Sequence, residues 1–336
     1  MPVPSVTSSA CWRPRAAPYA TSPSAATFGV DLGGTNLRVA LVDPDGTIVD
    51  QRKMPTPDTL DGIVDCISGA VRALAPLRAD ARALGVGAAG MVDHDGVIHY
   101  SPNVPAFLKA PVRARLEASV GMPTVVDNDA NVAVVAELAH GAARGQTEVL
   151  LVTLGTGVGG GVVTGGRVLR GAHGFGAEIG HFQVDPDGPL CACGQRGHWE
   201  AIASGTALGD LGRARAAEGA LPSVLARAGG NPADVAGTHV GDCAADGEPD
   251  AIALVAEYAA AVALGLVGLV NILDPELVVL SGGLVDLDDV LLAPLRAAFD
   301  GRIEGAPYRA VVPIVPAELG THAGVVGAAV LARELT

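Results

Sequence analysis

Residues 28–54 read FGVDLGGTNLRVALVDPDGTIVDQRKM. Apolar and β-branched residues flank Gly33-Gly34 on both sides, and Asp45-Gly46 is a strong hairpin signal. The stretch therefore predicts strand, glycine loop, strand, turn, strand. Residues 148–169, EVLLVTLGTGVGGGVVTGGRVL, follow the same plan with a strand, a glycine-rich turn and a returning strand. The two units start about 120 residues apart, too far for a solenoid repeat. Two similar α/β lobes around a cleft are the implied architecture.

The rest of the chain fits that frame. Ile63, Ile67, Val71 and Leu74 recur at helical spacing within 60–77. Short apolar runs at 83–89, 124–126 and 277–280 predict buried strands. Asp127 or Asn128 would cap a helix over 130–140 that stops at Gly141. Helices occupy much of 201–272, broken by a Gly/Pro/Asp-rich section near 229–250, and AGVVGAAVLAREL (323–335) predicts a terminal helix. The domains expected are a tail at 1–26, a smaller lobe at 27–140 joined by the helix at 323–336, and a larger lobe at 141–322.

With 336 residues, 49% apolar and 17% charged, the chain has material for about two packed units. A net charge of −14 argues against nucleic acid as a partner, since counterion displacement needs a basic surface. It leaves room for a phosphorylated small molecule held by backbone N–H groups and a cation. Five cysteines, with only Cys191 and Cys193 close together, do not form a disulfide framework and favour a reducing cytoplasm. The most apolar stretch, 259–270, is shorter than the roughly 20 residues of a bilayer span and reads as a buried core helix, so no membrane association is expected. The Ala/Pro/Ser-rich residues 1–26 lack the apolar segment of a secretory signal and read as disordered.

Four constellations could carry chemistry. In Asp31-Leu32-Gly33-Gly34-Thr35-Asn36, glycines would let backbone N–H groups approach an anion, Asp31 could orient Mg²⁺ or its water, and Thr35 could bond a phosphate oxygen. An ordinary glycine hairpin would look the same. The run Gly155-Thr156-Gly157-Val158-Gly159-Gly160-Gly161 is glycine-rich beyond what a hairpin needs, which favours phosphate contact. Asp129 follows Asn128 where a strand ends and a helix begins; it is surplus to capping and placed to accept a proton from an attacking hydroxyl. His181, Cys191, Cys193 and His198 supply two imidazoles and two thiolates suited to tetrahedral Zn²⁺, although two loop cysteines and two core histidines would give the same string. Glu178 and Glu200 flank that cluster and are either solvated acids or acceptors for polyol hydroxyls.

DLGGTNLR, SPNVPAF, DNDANVAVVAE, LGTGVGGG, GAEIGH, CACGQRGHWE and VVLSGG, in this order, resemble the ROK (repressor, open reading frame, kinase) sugar kinases, and within them the ATP glucokinases of actinobacterial type. The resemblance covers about residues 27–334. It implies a two-lobed actin-like ATPase (ribonuclease H-like) fold with an interlobe cleft and phosphorylation of D-glucose at its 6-hydroxyl. It further implies Asp129 as catalytic base, with Asn103, Asn128, Glu178, Glu200 and His181 on the sugar and Gly90 lining its pocket. ATP phosphates would lie on Asp31, Gly33, Gly34, Thr35, Asn36, Gly155, Thr156, Gly157 and Gly159, with Gly282 and Gly283 near adenosine. Zinc would be structural, bracing the loop that carries the sugar-binding glutamates. The family usually has a third cysteine where this chain has His198. An N-acylmannosamine kinase or a fructokinase shares the same motifs. Repressors of the family carry an N-terminal helix-turn-helix, for which some 26 residues ahead of the first loop are too few. The assembly expected is a homodimer or homotetramer.

Overall fold

A computed structural model describes residues 25–101 and 104–336. Most of the expected tail (1–24) and Asn103 lie outside the described residues. Ala26, expected in that tail, is instead fully buried in the first lobe's core, its N–H directed at Asp80.

The first lobe is built on β1 (Thr27–Leu32), β2 (Asn36–Val42), β3 (Ile48–Pro55) and β4 (Leu84–Ala88). A small antiparallel sheet of β5 (Met91–Val92), β6 (Ile98–Tyr100) and β7 (Leu108–Ala110) follows, and then β8 (Thr124–Asn128). Its helices are α1 (Leu60–Leu74), α2 (Val112–Val120) and α3 (Asp129–His140). Helix α1 buries Ile63, Ile67, Val71 and Leu74 as the spacing predicted, capped by the Thr59 hydroxyl on Gly62 N–H. It ends short of the predicted residue 77, and Pro76 lies in the single 3₁₀ turn that follows.

The second lobe comprises β9 (Val149–Leu154), β10 (Val158–Thr164) and β11 (Arg167–Val168), then α4 (Glu200–Ala203), α5 (Gly205–Ala217), α6 (Pro222–Arg227), α7 (Gly237–Ala245) and α8 (Pro249–Leu273). Strand β12 (Leu277–Ser281), α9 (Asp289–Phe299), β13 (Ile314–Pro316) and α10 (Ala323–Arg333) complete the chain. Helix α7 occupies the section expected to break the helices. It forms because His239 Nδ1 accepts the Ala236 N–H at its start, and because its glycines let α5 approach closely. The apolar stretch 259–270 is the middle of the 25-residue α8, which is long and apolar enough to cross a bilayer by composition. Its Leu254, Tyr258, Val262, Leu266 and Leu269 are buried in the second lobe's core.

The two five-stranded sheets run β3-β2-β1-β4-β8 and β11-β10-β9-β12-β13, the same order in each lobe, with the first three strands antiparallel and the last two parallel. This duplicated arrangement is the two-lobed actin-like ATPase fold. Helices α3 and α10 fill the space between the sheets, sharing one apolar cluster with Val149, Leu151 and Val279. Their approach needs glycine: a Cβ on Gly29 or Gly85 would lie 1.9 or 1.8 Å from carbonyl oxygens of α10, and one on Gly327 would lie 1.9 Å from Val132 O. Glu137, fully buried on α3, accepts N–H bonds from Ala142, Glu318 and Leu319. It thereby ties together the two chain segments that cross between lobes.

Candidate active site

Strand β8 ends at Asn128, whose side-chain oxygen accepts the Ala130 and Asn131 N–H groups at 2.9 and 3.3 Å and so starts α3. Its amide donates to Gly90 O at 3.2 Å. Gly90 has φ +136°, and a Cβ there would lie 2.4 Å from Tyr100 O, so this crossing of strand ends requires glycine. Asn128 therefore has one amide hydrogen left for a ligand, fewer contacts than a free sugar-binding amide would offer.

Asp129 is the first residue of α3 and is accessible to solvent, yet the surrounding walls strip its carboxylate of bulk water, which pushes its pKa up. Glu178, ahead of the 3₁₀ turn Ile179–His181, is raised by burial, opposed by His181, and raised further by Asp129 and Glu200. Asp31, at the end of β1, is raised by burial, lowered by Arg38 and raised again by Asp129. These groups sense one another, so four carboxylates and an imidazole from both lobes share one site. Such convergence of desolvated acids is the electrostatic pattern of a functional site rather than of a surface.

The β9–β10 turn divides this site from a second one. On one side, Val158 N–H donates to Glu200 Oε2 at 3.0 Å, and a Cβ on Gly157 would meet that oxygen at 2.4 Å. On the other, Gly155 O accepts the Gly205 N–H at 2.7 Å and Thr156 O accepts the Thr206 hydroxyl at 2.7 Å, pinning the turn to the N-terminus of α5. There a cavity of about 610 Å³ opens, lined among others by Gly155, Thr156, Gly205, Gly237 and Gly283. Gly282 does not line it; with φ +96° and a Cβ position 2.3 Å from Leu154 O, it turns the chain there.

Two expectations about the glycine loops need correction. Gly159, Gly160 and Gly161 lie in β10 rather than in the turn. The Gly159 N–H donates to the Thr153 hydroxyl, a Cβ on Gly160 would strike Ile179 at 2.2 Å, and one on Gly161 would lie 2.7 Å from Ala130 O. The Ile179 turn thus accounts for Gly160 and α3 for Gly161, while a Cβ on Gly159 would lie 2.7 Å from the Thr153 hydroxyl of β9. In the first loop, the Gly33 N–H is spent on Asn36 O at 3.1 Å, while Gly34, Thr35 and Asn36 are exposed. Gly209 and Gly241, which also line the cavity, were not anticipated. Their signal was available: Gly205/Gly209 and Gly237/Gly241 each repeat at i, i+4, which clears one helix face of side chains.

His181, Cys191, Cys193 and His198 present donor atoms that all lie within 4.8 Å of one another. Cys191 Sγ is 3.7 Å from His181 Nδ1 and Cys193 Sγ is 3.2 Å from His198 Nδ1. Tetrahedral zinc at bond lengths of 2.0–2.3 Å has ligand–ligand edges of about 3.3–3.8 Å, so the donor set fits the ion. Without a cation, burial pushes the Cys191 thiol up to about 12, whereas coordination removes that proton outright. Cys191 Sγ also donates to Glu200 Oε1 at 3.3 Å, linking the cluster to the carboxylate site.

The sequence profile of the ROK family matches residues 27–335. The chain is 40% identical to the glucokinase of Streptomyces coelicolor over 92% of its length and 98% of the relative's. It is 35% identical to an N-acetylmannosamine kinase of Escherichia coli, over 91% of its length and 98% of that protein's. Its structure superimposes on a ROK family glucokinase from Streptomyces griseus in complex with glucose and AMPPNP, with TM-score 0.81 and 39% identity, covering 92% of this chain and 99% of the other. With the family profile spanning nearly the whole chain and these relatives aligned almost end to end, the chain belongs to the ROK family.

Proposed function

We propose that this ROK enzyme transfers the γ-phosphoryl group of ATP to the 6-hydroxyl of D-glucose. The observation that carries the reading is the β9–β10 turn, with the carboxylate cluster on one face and the cavity on the other. A sugar gripped by Glu178, Glu200 and His181 would point a hydroxyl toward Asp129. A nucleotide in the cavity would lay its phosphates along Gly155, Thr156 and Gly157 toward the same point. Asp129 takes the hydroxyl proton as the oxygen attacks the γ-phosphorus and ADP leaves with the electrons of the broken P–O bond. Its raised pKa makes it a stronger base than an ordinary carboxylate. Gly34, Thr35 and Asn36 would face the phosphates from the first lobe, and Asp31 would hold Mg²⁺ or its water, the ion's charge neutralising that on the transferring group.

Zinc, held by His181, Cys191, Cys193 and His198, would brace the segment between Glu178 and Glu200 and take no part in the chemistry. A cytoplasmic homo-oligomer is the expected working form. A coupled assay with ATP and Mg²⁺ across glucose, N-acetylmannosamine, mannose and fructose tests the reading, and the highest kcat/KM is expected for glucose. Preference for N-acetylmannosamine, as in the Escherichia coli relative's name, would refute the substrate while leaving the phosphoryl transfer intact.

A further inference from the structure

Asp127 and Arg170 belong to opposite lobes and lie 43 residues apart. Asp127 is 5% exposed, the penultimate residue of β8, two residues before Asp129. Both carboxylate oxygens are committed. Oδ1 accepts the Asn128 N–H at 2.8 Å and the Asn131 amide at 2.9 Å; Oδ2 accepts Arg170 through Nε and through a terminal nitrogen, each at 2.7 Å. Arg170 follows β11 in the second lobe and also faces Glu334, whose pKa burial raises and the guanidinium holds back.

Arg170 also opens the loop that leads to Glu178. Its carbonyl accepts the Gly176 N–H at 2.9 Å, closing residues 171–175 into a compact turn. That turn rests on the β5–β6 hairpin of the first lobe. His94 Nε2 contacts Gly171 O at 3.1 Å, the His99 and Phe175 rings meet edge-on at 5.3 Å, and a Cβ on Gly174 would lie 2.4 Å from Val92 O. The start of the Glu178 loop is therefore held by the Asp127 carboxylate and its middle by the hairpin.

We infer that Asp127 and Arg170 are a positioning pair, which sets the distance between the Asp129 carboxylate on one lobe and the Glu178 carboxylate on the other. The inference rests on the hexose kinase function proposed above. Neither residue touches substrate. Two N–H groups of Arg170 converge on the single Oδ2 atom, a charge-assisted contact that holds the spacing between the lobes at this point. Releasing it lets the Glu178 loop drift relative to Asp129, and a misplacement near 1 Å costs up to about 100-fold.

The test is steady-state kinetics of Arg170→Gln, Arg170→Lys, Asp127→Asn and the Asp127→Asn/Arg170→Gln double variant, with melting temperatures recorded alongside. The expected result is a sugar kcat/KM lowered about 10- to 100-fold in Arg170→Gln with the ATP KM unchanged. Arg170→Lys, which keeps the charge and loses the fork, should show the same split at smaller amplitude. Its measurement stands even where the glutamine variant fails to fold. The double variant should be no worse than the worse single one, as for two partners in one contact. Equal changes in both KM values, or a lowered melting temperature with no split, would mean a purely structural ion pair and overturn the inference. A wild-type protein that phosphorylates no hexose would overturn the function beneath it, an outcome distinct from an active enzyme whose variants behave as wild type.

Discussion

Gly265→Ala adds one methyl group on α8, away from every substrate contact proposed here, and should nevertheless weaken sugar binding. A Cβ at 265 would lie 2.1, 2.3 and 2.4 Å from indole atoms of Trp199. Restoring ordinary contact near 3.4 Å requires the ring to retreat by about 1.3 Å. Trp199 has nowhere to go: it is fully buried, its Nε1–H donates to Ala261 O at 3.1 Å, and it packs on Phe182 at 5.8 Å between ring centres. It sits between His198 and Glu200, so its displacement moves a zinc ligand and a sugar carboxylate together. Overpacking costs about 1–3 kcal/mol, partly offset by about 1 kcal/mol gained on replacing a helical glycine. The net loss of up to about 2 kcal/mol lowers Tm by up to about 3 °C for a chain of this length. The shift of Glu200 raises the glucose KM by about 10- to 100-fold. Gly268→Ala is the control. It lies three residues on, with the Phe182 ring at 3.7 Å as nearest neighbour, which is comfortable contact. It should gain about 0.5–1 kcal/mol and leave both KM values alone. Thermal melts, the coupled kinase assay and zinc content read out both variants. If Gly265→Ala behaves like Gly268→Ala, the link from α8 through Trp199 to Glu200 is wrong.

Three further outcomes are expected. Asp129→Asn should keep glucose binding by calorimetry while kcat falls at least about 100-fold. It should also raise Tm at neutral pH: burial raises the Asp129 pKa, so stability present with the protonated acid is lost as pH rises from its ordinary value through the raised one, and Asn never ionises. In the wild type the same shift places the acid limb of kcat/KM above the ordinary carboxylate range, and a limb within that range would count against Asp129 as base. Purified protein should hold about one zinc per chain; Cys191→Ser, Cys193→Ser and His198→Ala should each lose it and raise the sugar KM, while His198→Cys retains it, and full activity without zinc would refute the bracing role. Gly157→Ala places a Cβ 2.4 Å from Glu200 Oε2 and should raise the sugar KM as well as the ATP KM, so an unchanged sugar KM would show that the turn serves the nucleotide alone.

The sequence by itself carried most features set by neighbours along the chain, α7 being an exception. The Gly33-Gly34 and Gly155–Gly157 turns, the apolar face of α1 and the Asn128 cap are local events within a few residues. So is the His181/Cys191/Cys193/His198 quartet, whose members fall within 18 residues and close on one another through short turns. What only the tertiary structure decided is which distant backbone each small or charged residue meets. Gly159–Gly161 read as one phosphate loop with Gly155, until Thr153, Ile179 and α3 are seen packed on them in turn. Gly205, Gly209, Gly237 and Gly241 border a cavity only because α5 and α7 come together around it. Asp127 reads as one of two candidate caps, yet it collects Arg170 from across the molecule, as Glu137 on α3 collects the N–H groups of residues 318 and 319. Periodicity and turn chemistry report the interactions a residue makes with its own segment, whereas a lobe junction is made of contacts at long sequence separation, and those exist only once both sheets have folded.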